Sequence, residues 1–151
     1  MTSLIEDLRH EDLYFRLKAG VQLVDERAVE LLIAALSHAE MEVRWRAATA
    51  LGLIRDARAT QSLVGVLKDK TYDVRYSAAW ALGMIGDDSA YESLAETALD
   101  EADIEIAIIA AFALTEINRQ HAIELLQPKL ADADRLVYKT ANTALNKLNY
   151  L

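Results

Sequence analysis

Three histidines, 24 carboxylates and no cysteine are what this chain offers for acid–base, metal or nucleophilic chemistry. His10, His38 and His121 stand far apart, and His38 and His121 fall near predicted helix ends, where a solvated histidine needs no function. Glu40, Glu42, Asp69, Asp73, Asp100, Glu101, Asp103, Asp132 and Asp134 gather in turns. Acidic side chains there cap helix starts and meet the positive end of the helix dipole. No Ser-His-Asp order, glycine-rich phosphate loop or metal-ligand spacing occurs. Without cysteine there is no thiolate nucleophile and no disulfide. No catalytic residue, metal or cofactor is assigned on these grounds. The side chains that stand out are aromatic: both tryptophans, Trp45 and Trp80, together with Tyr72, Tyr76 and Phe112.

A repeat places these rings. Val43-Arg44-Trp45-Arg46-Ala47-Ala48-Thr49-Ala50-Leu51-Gly52 returns 31 residues later as Val74-Arg75-Tyr76-Ser77-Ala78-Ala79-Trp80-Ala81-Leu82-Gly83, with seven of ten positions identical. Weaker copies run from Ile106 to Leu114 and from Val137 to Leu145, so Leu51, Leu82, Leu114 and Leu145 succeed one another at 31, 32 and 31 residues. A fixed period of that size marks a stack of helical units. First helices open at Asp25 and Asp56, with the i, i+4 pairs Leu32/Leu36 and Leu63/Leu67. A third opens at Asp87, and a fourth starts near Arg119, where Pro128 is expected to kink it. Upstream, Leu4 to about His10 and Asp12 to Leu23 are predicted as an atypical end pair. The expectation is an all-α chain of about ten helices in five antiparallel pairs, a single domain over residues 1–151 with units at about 2–23, 24–54, 55–86, 87–118 and 119–151.

In each second helix one face reads as core. Val43, Ala47, Ala50, Leu51 and Ile54 share it, as do Val74, Ala78, Ala81, Leu82 and Ile85, then Ile106, Ala110, Ala113, Leu114 and Ile117. The recurring alanines let neighbouring helices approach closely. The opposite face should be polar in a helix that only stacks. Instead it carries Trp45, Arg46, Thr49 and Leu53, then Tyr76, Ser77, Trp80 and Met84, then Ile108, Ile109 and Phe112, with Tyr72 joining from the preceding loop. The candidate binding set is Trp45, Arg46, Thr49, Tyr72, Tyr76, Ser77, Trp80, Met84, Ile108 and Phe112. Lys18, Lys139 and Thr143 take equivalent places in the end units, giving an apolar centre with a polar rim. A protein or peptide partner, a second copy of this chain, or packing of the rings on one another would each account for the pattern. The first reading expects Tyr76 and Trp80 to be dispensable for folding.

The run Asp73-Val74-Arg75 with Ala78-Ala79, Ala81-Leu82-Gly83, Ile85 and Gly86-Asp87 resembles a HEAT repeat of the short type called PBS-lyase HEAT-like. The resemblance covers residues 25–118 and implies a right-handed α-solenoid whose second helices line a concave, ligand-facing surface. It also implies that Arg44 and Arg75 pair with loop aspartates between units, a ladder from which Ala107 and Tyr138 depart. A bilin lyase or isomerase subunit, or another phycobilisome-handling factor, is the alternative function it carries. Bilin propionates would want arginines, and Arg46 is the obvious one on that face. His10-Glu11 is similar to the His-Glu pairs of the HEAT-like di-iron hydroxylase, but the later equivalents are Met41-Glu42, Tyr72-Asp73 and Ile104-Glu105, which leaves too few ligands for iron.

Bulk properties narrow the choice further. Residues are 53% hydrophobic and 26% charged, enough apolar surface for a continuous core. A net charge of −8 argues against nucleic acid, whose phosphates require clustered lysine and arginine. No apolar run approaches the roughly 20 residues of a membrane span. Met1 to Asp7 has no basic region with an apolar stretch behind it, so no secretory signal is read there and the cytoplasm is the expected compartment.

Overall fold

The structure, a computed structural model, describes residues 26–149 and Leu8. The predicted end pair, apart from Leu8, and Lys18 lie outside the described residues. Among the described residues there are eight α-helices: α1 (Glu26–Ala35), α2 (Met41–Ile54), α3 (Thr60–Val66), α4 (Tyr72–Ile85), α5 (Tyr91–Asp100), α6 (Ile104–Ile117), α7 (Arg119–Leu126) and α8 (Arg135–Lys147). The aspartates at the unit starts act one step earlier than expected. Asp56 accepts from the backbone N–H of Arg58, and Asp87 from that of Ser89, each at 2.9 Å. They thereby cap single 3-10 turns, Ala57–Ala59 and Asp88–Ala90, that run on into α3 and α5. Asp134 caps α8 directly, accepting from Leu136 and Val137.

Helices α2, α4, α6 and α8 lie side by side in one layer, and α1, α3, α5 and α7 pack against it as a second. This is an α-solenoid. The anchor leucines Leu51, Leu82, Leu114 and Leu145 are fully buried between the layers, with Leu32, Leu63, Leu94 and Leu126 from the first helices. Within the α2–α4–α6 layer the helices touch at backbone level. A Cβ placed on Gly52 would lie 2.8 Å from the Cα of Ala81, and one on Gly83 would lie 2.9 Å from the Cα of Ala113. Backbone cannot move aside as a side-chain tip can, so only glycine fits there.

Two helix ends differ in detail. Helices α2 and α4 close through a left-handed residue, Arg55 at φ 59° and Gly86 at φ 72°, whose N–H bonds the carbonyl of Leu51 or Leu82. Glycine adopts that geometry freely, whereas Arg55 bears a cost of roughly 1 kcal/mol. Pro128 does not kink a longer helix: α7 stops at Leu126, and a 3-10 turn, Gln127–Ala131, carries the proline near its start. Proline lacks an N–H to continue the α-helical ladder but is tolerated in the first turn of a new element.

The turns between layers are tied by two arginines. Arg44 grips both carboxylate oxygens of Asp69, at 2.8 and 3.1 Å, and donates to the carbonyls of His38 and Ala39 at 2.9 Å. Arg75 donates to the Asp69 carbonyl at 3.0 Å and pairs with Asp103 and Glu101 in the next turn. Each guanidinium thus joins successive turns, and Asp69 belongs to both rungs. At the next position Ala107 is buried, and the ladder stops. No helix among the described residues is long and apolar enough to cross a membrane.

Burial works against the charge of Asp69, but hydrogen bonds from Arg44 and Thr71 outweigh it and hold the carboxyl below its ordinary value of 3.8. A depressed folded value means the stabilisation is complete above the unfolded value and is lost as pH falls through the folded one. Asp69→Asn is expected to cost about 2 kcal/mol or more in urea unfolding at neutral pH, because it strands a buried guanidinium. The difference from wild type should shrink below about pH 4. A difference unchanged between pH 7 and pH 3 would contradict the ion pair's role.

Candidate functional site

Because α2, α4 and α6 run side by side with their core faces turned toward the second layer, their opposite faces form one strip. Along it lies a groove of about 490 Å³ lined by Trp45, Tyr72, Asp73, Tyr76, Ser77, Glu105, Ile108, Ile109 and Phe112. Two smaller depressions adjoin it. One, about 260 Å³, shares Trp45, Tyr76 and Ser77 and adds Thr49 and Trp80. The other, about 280 Å³, shares Ile109 and Phe112 and runs past Trp80 and Met84 to Glu116 and Lys147. The strip is therefore continuous from α2 to the end of α8.

Its chemistry is aromatic with carboxylates set among the rings. Tyr72 and Tyr76 stack with centroids 6.2 Å apart, and Trp45, Tyr72 and Tyr76 are each more than a third exposed. The Tyr72 hydroxyl donates to Glu105; that hydrogen bond above all, then burial and the Glu105 charge, pushes the phenol up to about 12, so it stays neutral and donating. Thr49 donates to the Trp45 carbonyl at 3.0 Å and lies 3.4 Å from the Ser77 hydroxyl, a polar stitch between α2 and α4. At the far end the ammonium of Lys147 sits 4.0 Å from the centre of the Phe112 ring, a cation–π contact.

Nine of the ten candidate residues line this strip. Arg46 does not. Its guanidinium pairs with Glu42 at 2.6 Å and donates to the Leu8 carbonyl at 3.0 Å, leaving the side chain 13% exposed. A long side chain swings to the nearest acceptors, here on the N-terminal side. Ser77 is buried between helices, so it shapes the groove floor rather than its surface. Trp80 is half-buried, and a Cβ on Gly52 would lie 2.7 Å from its ring. That tryptophan is both wall and packing, contrary to the expectation that it is dispensable for folding. Lys139 and Thr143 are not among the lining residues, and Lys147 is the cation that reaches the strip. Sequence reasoning missed Asp73 and Glu105, which look like ordinary helix-opening acids. The signal was their place beside Tyr72 and one turn before Ile108.

The two described histidines make local contacts within the fold. His38 Nδ1 accepts from the Glu40 backbone at 3.1 Å, and His121 packs edge-on to Tyr91. Among the described residues no group of three or more histidine, aspartate or glutamate side chains is arranged to hold a metal.

The family model for HEAT repeats matches residues 2–73 and 29–107, more than half of the chain. A search of curated proteins found no match. Among solved structures, the complex of CpcE and CpcF of phycocyanin lyase from Nostoc sp. PCC7120 is 27% identical over 97% of this chain and 64% of that one, with a TM-score of 0.65. Human deoxyhypusine hydroxylase in complex with glycerol is 24% identical, covering 85% of this chain and 46% of that one, with a TM-score of 0.67. A designed armadillo repeat protein in complex with the peptide (KR)4 is 23% identical, covering 80% and 64%, with a TM-score of 0.55. The last two show the fold alone. This chain spans less than two thirds of the length of each.

The two central rings are expected to separate on mutation. Trp80→Ala should cost about 2–3 kcal/mol in urea unfolding, somewhat below the loss from a fully buried aromatic. Tyr76→Ala should stay within about 1 kcal/mol, the worth of one exposed ring contact. Equal losses would place Tyr76 in the core and remove it from the binding face.

Proposed function

The chain belongs to the HEAT-repeat family, and on that premise we propose that it is a non-catalytic protein–protein interaction module, one continuous stack that takes a protein or peptide on the concave side of its second helices. The observation that carries this is the exposure of Trp45, Tyr72 and Tyr76 together along one groove. Exposed aromatic rings clustered in a groove, with half-buried Phe112 in it and half-buried Trp80 in the depressions beside it, are the composition of an interface centre. The other exposed large apolar side chains among the described residues, Met41, Leu136 and Tyr138, do not line it. The likeness to a complex of two proteins, CpcE with CpcF, supports a protein partner.

That same likeness favours a second role, handling of a bilin by a lyase subunit. The groove's charge speaks against it. Asp73 and Glu105 line it, and Arg46, the arginine that would have met a propionate, is tied to Glu42 and the Leu8 carbonyl, with its guanidinium 5.9 Å from the centre of the Trp45 ring. Two carboxylates facing a dianionic tetrapyrrole repel it.

Immobilised wild-type protein and its Tyr76→Asp variant, exposed to native cell extract, separate these roles. A colourless protein recovered by wild type and reduced at least about tenfold by the variant is the expected result, since loss of a central aromatic costs about 2 kcal/mol or more. A coloured eluate would favour the bilin role. Recovery indifferent to Tyr76→Asp would overturn both.

A further inference from the structure

The partner's chemistry is set by the carboxylates that share the groove with the exposed rings. Asp69 is held by Arg44, Glu101 and Asp103 by Arg75, and Glu42 by Arg46. Other surface carboxylates, Asp88 and Glu92 among them, have no ion pair among the described residues, but those on the aromatic strip share it with exposed rings. Asp73, Glu105 and Glu116 line it, and none of them has an ion pair among the described residues. Position at a helix start explains an acid at 73 and at 105, but neither side chain caps its helix. Glu105 is instead held by the hydroxyl of Tyr72, with Tyr76 stacked beside that ring. The chain itself shows what suits the row of rings: its own Lys147 ammonium rests on Phe112 where the strip ends.

We infer that the partner presents a basic segment, and that an arginine side chain of that segment enters the groove between Asp73 and Glu105 and lies flat on the exposed rings of Trp45 and Tyr76. A guanidinium fits better than an ammonium, because its plane stacks on aromatic faces while its edge serves two carboxylates at once. An acidic or phosphorylated partner meets unneutralised like charge in the same place. The inference rests on the partner-binding role proposed above and adds the sign and shape of what is bound.

The probe is a fluorescein-labelled octapeptide of alternating arginine and glycine, monitored by anisotropy at about 50 mM salt, where screening is weak. Wild type is compared with Asp73→Asn/Glu105→Gln and with Asp88→Asn/Glu92→Gln. The second pair removes the same charge from exposed positions away from the groove. Both substitutions keep side-chain shape, and thermal melts by circular dichroism should coincide with wild type. The expected result is binding to wild type, a loss of about tenfold or more in the groove variant, and a change within about twofold in the control. No binding to wild type, or equal losses in both variants as for diffuse charge attraction, overturns the inference. If the peptide fails while capture of a cellular protein still depends on Tyr76, only the charge assignment falls. If capture is also indifferent to Tyr76, the groove falls with it.

Discussion

Backbone contact between neighbouring helices is the constraint on which the rest of this structure depends. Gly52 meets Ala81, and Gly83 meets Ala113, with no room for another methyl group. The buried alanines at 47, 78 and 110 keep the same spacing further along the helices. Helices this close leave little room for large side chains between them, the edge of Trp80 against Gly52 excepted, so the other bulky residues of this layer go to the core or to the opposite face. The leucines took the core. Trp45, Tyr72, Tyr76, Trp80 and Phe112 took the opposite face, where close spacing merges three separate helical stripes into one groove. In this sense the groove is a consequence of the glycines and alanines as much as of the aromatics that line it.

The arginine rungs act on the same geometry from the turns. A guanidinium that satisfies two carbonyls and a carboxylate fixes the distance between consecutive turns, and its near-complete burial makes the geometry hard to relax. The rungs also take up acidic side chains that would otherwise crowd the helix starts. Asp73 and Glu105 escape this pairing, and they sit where the rings are most exposed. The opening turn of α4 thus serves both ends: Arg75 ties the stack, while Tyr72 and Asp73 line the groove.

Much of this was legible from residue order. Leu51, Leu82, Leu114 and Leu145 announce the units because burial at a fixed period is a property of spacing alone. The ladder's end was visible as well, since Ala107 has no charge to place in a turn. Three features were not legible, each for a physical reason. A helical wheel gives the angle at which Arg46 leaves its helix but not the acceptors its long chain reaches. It gives the side on which Trp80 lies but not that Gly52 leaves a hollow for the ring's edge. An acid at a helix start looks the same whether an arginine holds it, as at Asp103, or a tyrosine hydroxyl does, as at Glu105. Pro128 adds a fourth case: proline marks a break in α-helix, and whether the chain bends or restarts as a 3-10 turn depends on the packing of the residues beyond it.

The most direct test of the groove as the partner-binding face is site-specific photo-crosslinking in native extract. A photoreactive phenylalanine analogue is installed in place of Tyr76, and separately in place of Glu92 on the other layer. A discrete protein adduct from position 76 and none from position 92 is the expected result. Adducts of equal yield from both, or from position 92 alone, would contradict the assignment of partner binding to the aromatic face.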